Sequence, residues 1–317
     1  MKRGREGRRK SAVPLNLGVR SKNMNEKHPP KTIATINFKG GVGKTTVTWC
    51  LGDLISTYGN SNVILFDLDA QMSLTQAITL NEDGSLYRKF SDWSERSEKR
   101  GKTIFKAIEV YTGGKSGFDF DISYDFIYQI TDRYHFVPSV EDLYWLELDV
   151  FDREKMQGFI RDILGKITWS KNVSDYNYAL FDCPPSFTLL SYSILSVCDL
   201  ILIPVNPDFY AVKGVPLILN TLQLRIEPFP IPKIAVFMNK AKPYAGSMTK
   251  ESQFYWRQVQ KVCSQAASKA SLKVKCLDAP IYDRVAIKRA VTTGGVPPEF
   301  VSDFKNLWKE ITVFINE

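Results

Sequence analysis

Histidine, paired cysteines and long apolar stretches are scarce in this chain of 317 residues. The two histidines, His28 and His135, are far apart and lack the spacing of a zinc site. The five cysteines form no C-x-x-C pair, which favours a reduced, cytoplasmic setting. No run of about 18 apolar residues occurs, so the sequence predicts no transmembrane helix.

Positive charge is concentrated at the start of the chain. Residues 1–30 hold nine Lys and Arg against two Glu, which is +7 of the total formal charge of +8. The segment lacks the apolar core of a secretion signal, so export is not expected. It is typical of a disordered basic tail that attracts nucleic acid or anionic surfaces without sequence preference. We therefore divide the chain into this tail, residues 1–30, and one domain, residues 31–317.

Within the domain, short apolar runs alternate with helical patterns. Nearly continuous apolar runs are typical of strands that are covered on both faces of a sheet. Strands that alternate with helices indicate right-handed crossovers, so we predict a single α/β domain with a mostly parallel sheet flanked by helices. The predicted strands are 32–38, 62–66, 134–137, 178–182, 199–205 and 234–240, and the predicted helices are 47–56, 141–150, 153–164, 187–196, 212–224, 251–269 and 299–315.

The segment 79–133 has no clean hydrophobic period. It mixes charged and aromatic residues, and we interpret it as an elaboration of the fold, with short helices packed on the edge of the sheet. A docking surface for a partner protein is the alternative interpretation of the same segment.

A glycine-rich loop follows the first predicted strand, with the sequence Lys39-Gly40-Gly41-Val42-Gly43-Lys44-Thr45-Thr46. Glycines let the backbone curl tightly and point its amides inward, and the next helix adds the positive end of its dipole. The loop therefore predicts a polyphosphate site. By analogy with other loops of this type, Lys44 contacts the β and γ phosphates and the Thr45 hydroxyl binds a magnesium ion. The common pattern has glycine where this chain has Phe38, so the loop is a variant.

The lysine at the entrance of the loop is one more than nucleotide binding needs. Lys39 and the residues after it resemble the K-G-G-x-G-K-[ST] motif of the ParA/MinD family of deviant Walker A ATPases, and most closely the ParA and Soj partition proteins. In that family the first lysine reaches across a dimer interface to the phosphates of the partner. The resemblance implies this role for Lys39, and a solvated charge beside the loop is the alternative.

Two aspartates follow the second predicted strand. The sequence Asp67-Leu68-Asp69-Ala70-Gln71 resembles the D-x-D-P-Q motif of the family, with Ala70 in place of proline. The resemblance implies that Asp69 positions or activates the attacking water and belongs to the magnesium site. Asp67 either supports the magnesium network or caps the loop.

Two later strands also end in polar residues. Asp182 begins Asp182-Cys183-Pro184-Pro185, which resembles the D-x-P-P Walker B element of the family and implies that Asp182 holds magnesium through a water. Asn239 ends another apolar run, and the resemblance implies that it reads the adenine base, although an Asn there is also a common turn residue. Because Cys183 lies inside the ordinary motif, an iron–sulfur cluster is not expected.

The resemblance implies an ATPase that slowly hydrolyses ATP to ADP and phosphate with Mg²⁺. The implied partners are a second copy of the chain in the ATP-bound state, non-specific DNA and a ParB-like or adaptor protein that stimulates hydrolysis. The implied task is plasmid or chromosome partition on the nucleoid in the cytoplasm. Two clusters of basic residues are candidates for DNA contact by their location, with an ordinary solvated face as the alternative: Lys240, Lys242, Lys250, Arg257 and Lys261, and then Lys273, Lys275, Arg284, Lys288 and Arg289. The implied catalytic residues are Lys39, Lys44 and Asp69. The implied metal ligands are Thr45, Asp69 and Asp182. The implied nucleotide-binding residues are Gly40, Gly41, Val42, Gly43, Lys44, Thr45, Thr46 and Asn239.

Three rival functions share these motifs. One is a cargo-positioning ATPase of the same family, and another is a non-enzymatic nucleotide-binding scaffold. The third is a MinD-like membrane-cycling ATPase, which would bind lipid through an amphipathic tail near Trp308. We expect the C-terminal helix to pack into the core instead, so membrane binding is not expected.

Overall fold

The computed structural model describes residues 28–80, 88–95, 103–113, 126–146, 153–169, 175–225, 232–269, 272–284 and 298–317. The predicted basic tail lies outside the described residues except for its last three positions. Its disorder and the domain boundary at residue 30 therefore stay predictions.

A mostly parallel sheet forms the centre of the described structure. Its strand order is β10-β7-β6-β1-β5-β2-β4-β3, and every neighbouring pair is parallel except β3 with β4. This confirms the predicted single α/β domain. The strands are β1 (Lys31–Thr35), β2 (Val63–Asp67), β3 (Tyr128–Thr131), β4 (Tyr134–Val137), β5 (Tyr178–Asp182), β6 (Leu200–Val205), β7 (Lys233–Met238) and β10 (Lys273–Cys276), and β8 (Pro243–Tyr244) pairs with β9 (Ser247–Met248) in a separate hairpin.

Helices cover both faces of the sheet. Side chains that alternate along each strand enter two different cores, as Ile33 and Ala34 do in β1. One core lies under α1, α2, α3 and α9, and the other lies under α4 to α8. The helices are α1 (Lys44–Thr57), α2 (Ser73–Thr79), α3 (Arg88–Glu95), α4 (Ile104–Gly113), α5 (Arg153–Trp169), α6 (Leu189–Leu195), α7 (Phe209–Arg225), α8 (Lys250–Lys269) and α9 (Pro298–Asn316).

The C-terminal helix α9 packs into the core, as predicted. Phe304, Leu307 and Ile311 follow one another at helical spacing, and all three are fully buried in the core beneath α1. Trp308 packs edge-on against Tyr178 of β5, with ring centroids 4.9 Å apart. Across the described ranges, none of the helices combines the length and hydropathy that a bilayer crossing requires.

Some predicted boundaries were wrong near the glycine-rich loop and after β4. Helix α1 begins at Lys44 and not at residue 47, because the helix starts inside the loop directly after Gly43, which adopts a left-handed conformation. After β4 the chain forms a short 3-10 helix, Glu141–Tyr144, where a longer helix was predicted. Residues 147–150 of that predicted helix lie outside the described residues.

Two edge strands, β3 and β10, were not predicted. Both are only four residues long and carry polar residues, so they lack the apolar run that marks the inner strands. The predicted short helices of segment 79–133 are confirmed in α3 and α4. Phe90 of α3 packs edge-on against Tyr128 of β3 at 5.0 Å between ring centroids, which places α3 at that edge of the sheet.

Candidate functional site

The glycine-rich loop joins the carboxyl end of β1 to the start of α1. Gly41 and Gly43 have φ angles of 73° and 91°, a conformation that favours glycine. A Cβ atom on Gly43 would also lie 2.5 Å from Nδ2 of Asn239, so this position has no room for a side chain. The loop therefore requires glycine at both turns for backbone geometry, and at Gly43 also for space.

Lys44 points its charge into the protein. The residue is 8% exposed, and burial lowers the pKa of its ammonium, although the nearby carboxylates of Asp182 and Asp69 raise it. A buried cation that is only partly balanced by carboxylates is stabilised by a further anion. Its surroundings therefore suit the phosphates of a nucleotide.

Asp182 lies beside the loop at the end of β5. Its Oδ2 accepts a hydrogen bond of 2.6 Å from the Thr45 hydroxyl, and its Oδ1 is buried without a hydrogen-bond partner in the described structure. Burial raises the pKa of the Asp182 carboxyl well above its usual range. A buried carboxylate oxygen that lacks a partner next to a hydroxyl is the kind of hard oxygen site that Mg²⁺ prefers. Thr45 and Asp182 therefore fit the predicted metal.

Asp67 holds the loop that carries Asp69. Its carboxylate is fully buried and accepts hydrogen bonds from the backbone N and hydroxyl of Thr75, at 2.8 and 2.7 Å, and from the Asp69 backbone N at 3.1 Å. Burial raises the pKa of Asp67 to about 7, although these hydrogen bonds lower it. The structure thus gives Asp67 the capping role that the sequence left open, and a role in the magnesium network stays a prediction.

Asp69 lies near Asp67 and Asp182, which together form an acidic cluster, and hydrogen bonds fix its loop. Its Oδ1 accepts from the backbone N of Gln71 at 3.0 Å, and its carbonyl accepts from the Ser139 hydroxyl at 2.7 Å. Ser139 in turn donates its backbone N to the Thr75 hydroxyl. The loop after β4 therefore supports the loop after β2, and no sequence motif had indicated either Thr75 or Ser139.

Lys39 binds a carboxylate of its own chain. Its ammonium lies 2.6 Å from Oδ2 of Asp208 and 5.0 Å from the ring centroid of Tyr210, and its side chain is 38% exposed. Asp208 follows the carboxyl end of β6, on the sheet edge where β1 and β2 also end. Asp208 was not predicted from the sequence. Its position after a parallel strand could have indicated it, because polar residues at this edge of a sheet often belong to a ligand site.

Asn239 and Lys240 contact the back of the glycine-rich loop. Nδ2 of Asn239 donates to the Val42 carbonyl at 2.7 Å, and Nζ of Lys240 donates to the Gly41 carbonyl at 2.6 Å. Asn239 is thus close to the predicted nucleotide site, with one amide N–H bound to the loop, and its base-reading role stays a prediction. Sequence reasoning did not assign Lys240 to this site.

Solved structures share this fold. The ATP complex of McdA from Cyanothece superposes with a TM-score of 0.68 at 19% identity, covering 90% of this chain and 97% of McdA. Cobyrinic acid a,c-diamide synthase from Mycobacterium smegmatis, with bound ADP and magnesium, superposes with a TM-score of 0.58 at 21% identity, covering 88% and 96%. These likenesses show that the chain shares the fold of these proteins.

The chain is also similar in sequence to curated proteins. A ParA family protein of Chlamydia pneumoniae is 30% identical over 184 residues, which are 58% of this chain and 62% of that protein. The sporulation initiation inhibitor protein Soj of Bacillus subtilis is 27% identical over 197 residues, which are 61% of this chain and 65% of Soj. The chain thus matches less than two thirds of the length of these curated relatives.

A family model described as an AAA domain matches residues 30–229, which is more than half of the chain. The chain therefore belongs to this AAA-domain family, and its sequence is similar to ParA family proteins and to Soj.

Proposed function

We propose that this protein is a ParA-like ATPase that binds ATP with Mg²⁺, hydrolyses it slowly, and uses the cycle to pair two copies of the chain on DNA. One observation carries the proposal. Lys44, Thr45, Asp69 and Asp182 lie together beside the glycine-rich loop, while the additional lysine, Lys39, is bound to Asp208.

Binding of the triphosphate follows from the loop. Its amides from Gly40 to Thr46 and the start of α1 form a concave, electropositive cradle for the β and γ phosphates. Lys44 adds a desolvated positive charge there. A bound Mg²⁺ would neutralise phosphate charge, held by the Thr45 hydroxyl and the carboxylates of Asp182 and Asp69.

Hydrolysis needs a group that orients water near the γ phosphate. Asp69 fills this role in the proposal because its carboxylate belongs to the same cluster as Lys44, and its loop is fixed by Asp67 and Ser139. Fixed carboxylates position water without having to reorganise during the reaction.

In the proposed dimer, Lys39 contacts the γ phosphate that is bound to the partner. Its ammonium is bound to Asp208 and its side chain is more than one third exposed, so Lys39 is accessible to a second copy of the chain. A γ phosphate in the partner would attract Lys39 more strongly than one carboxylate does, and loss of that phosphate on hydrolysis would remove the preference for the dimer.

DNA binding is supported by the outer face of α8. Lys250, Arg257 and Lys261 are exposed at helical spacing together with Phe254, which is 58% exposed. Such a stripe neutralises phosphates without reading bases. With a ParB-like or adaptor protein that stimulates hydrolysis, the protein would act in plasmid or chromosome partition on the nucleoid in the cytoplasm.

The decisive experiment measures phosphate release with and without DNA, together with dimerisation in the presence of AMPPNP. We expect Lys44→Ala to lose nucleotide binding, Asp69→Ala to bind ATP and stay dimeric without turnover, and Lys39→Ala to bind ATP as a monomer. The matched control is Lys106→Ala, since Lys106 pairs with Glu109 on α4. Full dimerisation of Lys39→Ala would remove the cross-subunit role.

The same assay separates the rival functions. A nucleotide-binding scaffold would bind ATP but release no phosphate under any condition. A MinD-like ATPase would bind liposomes when loaded with ATP, which the packing of Trp308 against Tyr178 disfavours. A cargo-positioning ATPase shares all of this chemistry and differs only in the adaptor that a pull-down would recover.

A further inference from the structure

We propose that Asn239 and Lys240 form a strap that holds the glycine-rich loop in its phosphate-binding shape, and that Lys240 is a positioning residue for the triphosphate. The strap consists of these two residues alone. This inference rests on the proposed nucleotide site and names a residue that supports it.

The strap binds two consecutive carbonyls of the loop. Asn239 donates from Nδ2 to the Val42 carbonyl at 2.7 Å, and Lys240 donates from Nζ to the Gly41 carbonyl at 2.6 Å. Val42 and Asn239 are 1% and 4% exposed, so water has little access to the first of these hydrogen bonds. The second is short and charge-assisted, but it is exposed to solvent, which screens it.

The two carbonyls differ in their access to water. A loop that turns its amides toward phosphate turns carbonyls outward. Val42 is buried, so its carbonyl is unfavourable without a donor, whereas Gly41 is exposed and Lys240 binds its carbonyl at the surface. The next two carbonyls are satisfied within α1, where Gly43 accepts from the Val47 backbone N and Lys44 accepts from the Thr48 hydroxyl. The strap supplies the two donors that the helix cannot.

The backbone at Lys240 is built for this contact. Its φ angle is 54°, a left-handed conformation that is uncommon for residues other than glycine. The residues on either side are fixed, since Asn239 donates its backbone N to Val205 and Ala241 donates its backbone N to Ile281. A strained residue between two fixed neighbours indicates that the direction of its side chain has a use.

The absence of a side chain at Gly43 completes the arrangement. A Cβ atom there would lie 2.5 Å from Nδ2 of Asn239 and 3.8 Å from Cε of Lys240. The strap therefore crosses the loop at the point where only glycine allows it. It fixes the loop before any nucleotide arrives, which lowers the cost of ordering the amides on binding.

The test compares Lys240→Met with the wild-type chain and with Lys240→Arg. Lys242→Met is the matched control, because Lys242 lies two residues away and pairs with Glu251, not with the loop. The first measurement is hydrogen exchange of the amides of residues 40–46 in nucleotide-free protein. The second is calorimetric affinity for ATP with Mg²⁺, and the melting temperature is recorded for each variant.

We expect Lys240→Met to exchange its loop amides faster and to bind ATP about five- to tenfold more weakly, with little change in melting temperature. Lys240→Arg should restore most of both properties, and Lys242→Met should match the wild type. Unchanged loop exchange in Lys240→Met would overturn the strap, and so would an equal effect in Lys242→Met. If the wild-type chain bound no ATP, the proposed function would fail, but exchange in the nucleotide-free protein would still decide the strap.

Discussion

Lys39 and Asp208 form an ion pair within one chain, with 2.6 Å between Nζ and Oδ2. The other carboxylate oxygen of Asp208 accepts a hydrogen bond from the backbone N of Ala211 at 2.9 Å, so the same side chain caps the start of α7. Lys39 must leave Asp208 before it can reach a partner. Both side chains are about one third exposed, so the pair contributes at most about 1 kcal/mol.

Asp208→Asn should strengthen the dimer, because it releases Lys39 while an amide oxygen still caps α7. We expect a two- to fivefold tighter dimer with AMPPNP, as measured by analytical ultracentrifugation. The control is Asp278→Asn, which alters an exposed carboxylate near α9. A weaker dimer in Asp208→Asn would indicate that the carboxylate itself contributes to the dimer interface.

Asp182→Asn should separate stability from function. Burial disfavours the charged form of Asp182 more than the nearby Lys44 favours it, so a neutral amide should raise the free energy of unfolding of the nucleotide-free protein by about 1 kcal/mol, even though Lys44 loses one balancing carboxylate. The same change removes a proposed magnesium ligand and should weaken ATP binding only when magnesium is present. Thermal melts with and without Mg²⁺ and ATP test both parts, and a less stable nucleotide-free variant would contradict the first.

Arg257→Gln and Lys261→Gln should weaken DNA binding on any sequence. Each removes one phosphate contact, so each should make the plot of log affinity against log salt shallower by about 0.9. Fluorescence anisotropy with two unrelated duplexes and AMPPNP measures this, with Lys106→Gln as the control. An unchanged slope in both variants would show that DNA binds elsewhere.

His135 should make stability depend on pH. Its Nδ1 faces the Tyr176 hydroxyl at 2.5 Å, and burial lowers the pKa of the imidazole below its usual value. The unfolded chain therefore binds a proton near pH 6.5 that the folded chain does not bind. The contribution of neutral His135 to the free energy of unfolding is consequently lost as pH falls from about 7 to 5.

Denaturant unfolding across this pH range tests the prediction. Because the raised pKa values of Asp67 and Asp182 act in the opposite direction, the comparison is between variants. The stability of the wild type relative to His135→Gln should fall from pH 7 to 5, whereas that relative to His28→Gln should not change, because His28 is exposed. An equally steep decline in His135→Gln would assign the effect to other groups.

The motifs alone indicated much of the site. The glycine-rich loop, Asp69 and Asp182 each follow a predicted strand, and the carboxyl ends of parallel strands lie at one edge of a sheet. The structure brings Lys44 close to Asp69 and Asp182 and binds Thr45 to Asp182, whereas Lys39 is bound to Asp208. The catalytic and binding roles of these residues remain predictions until nucleotide is added.

The sequence by itself determined the α/β class, the inner strands and the glycine-rich loop, because apolar periodicity and glycine conformation are local properties. Only the tertiary structure decided the partners of the loop, since Asp208 and Asn239 are about 170 and 200 residues from Lys39 and Val42 along the chain. The residues next to a single Lys or Asn in the sequence do not indicate which acceptor its side chain binds in the folded protein. The parallel crossovers bring these groups together, and that proximity follows from packing of the whole sheet.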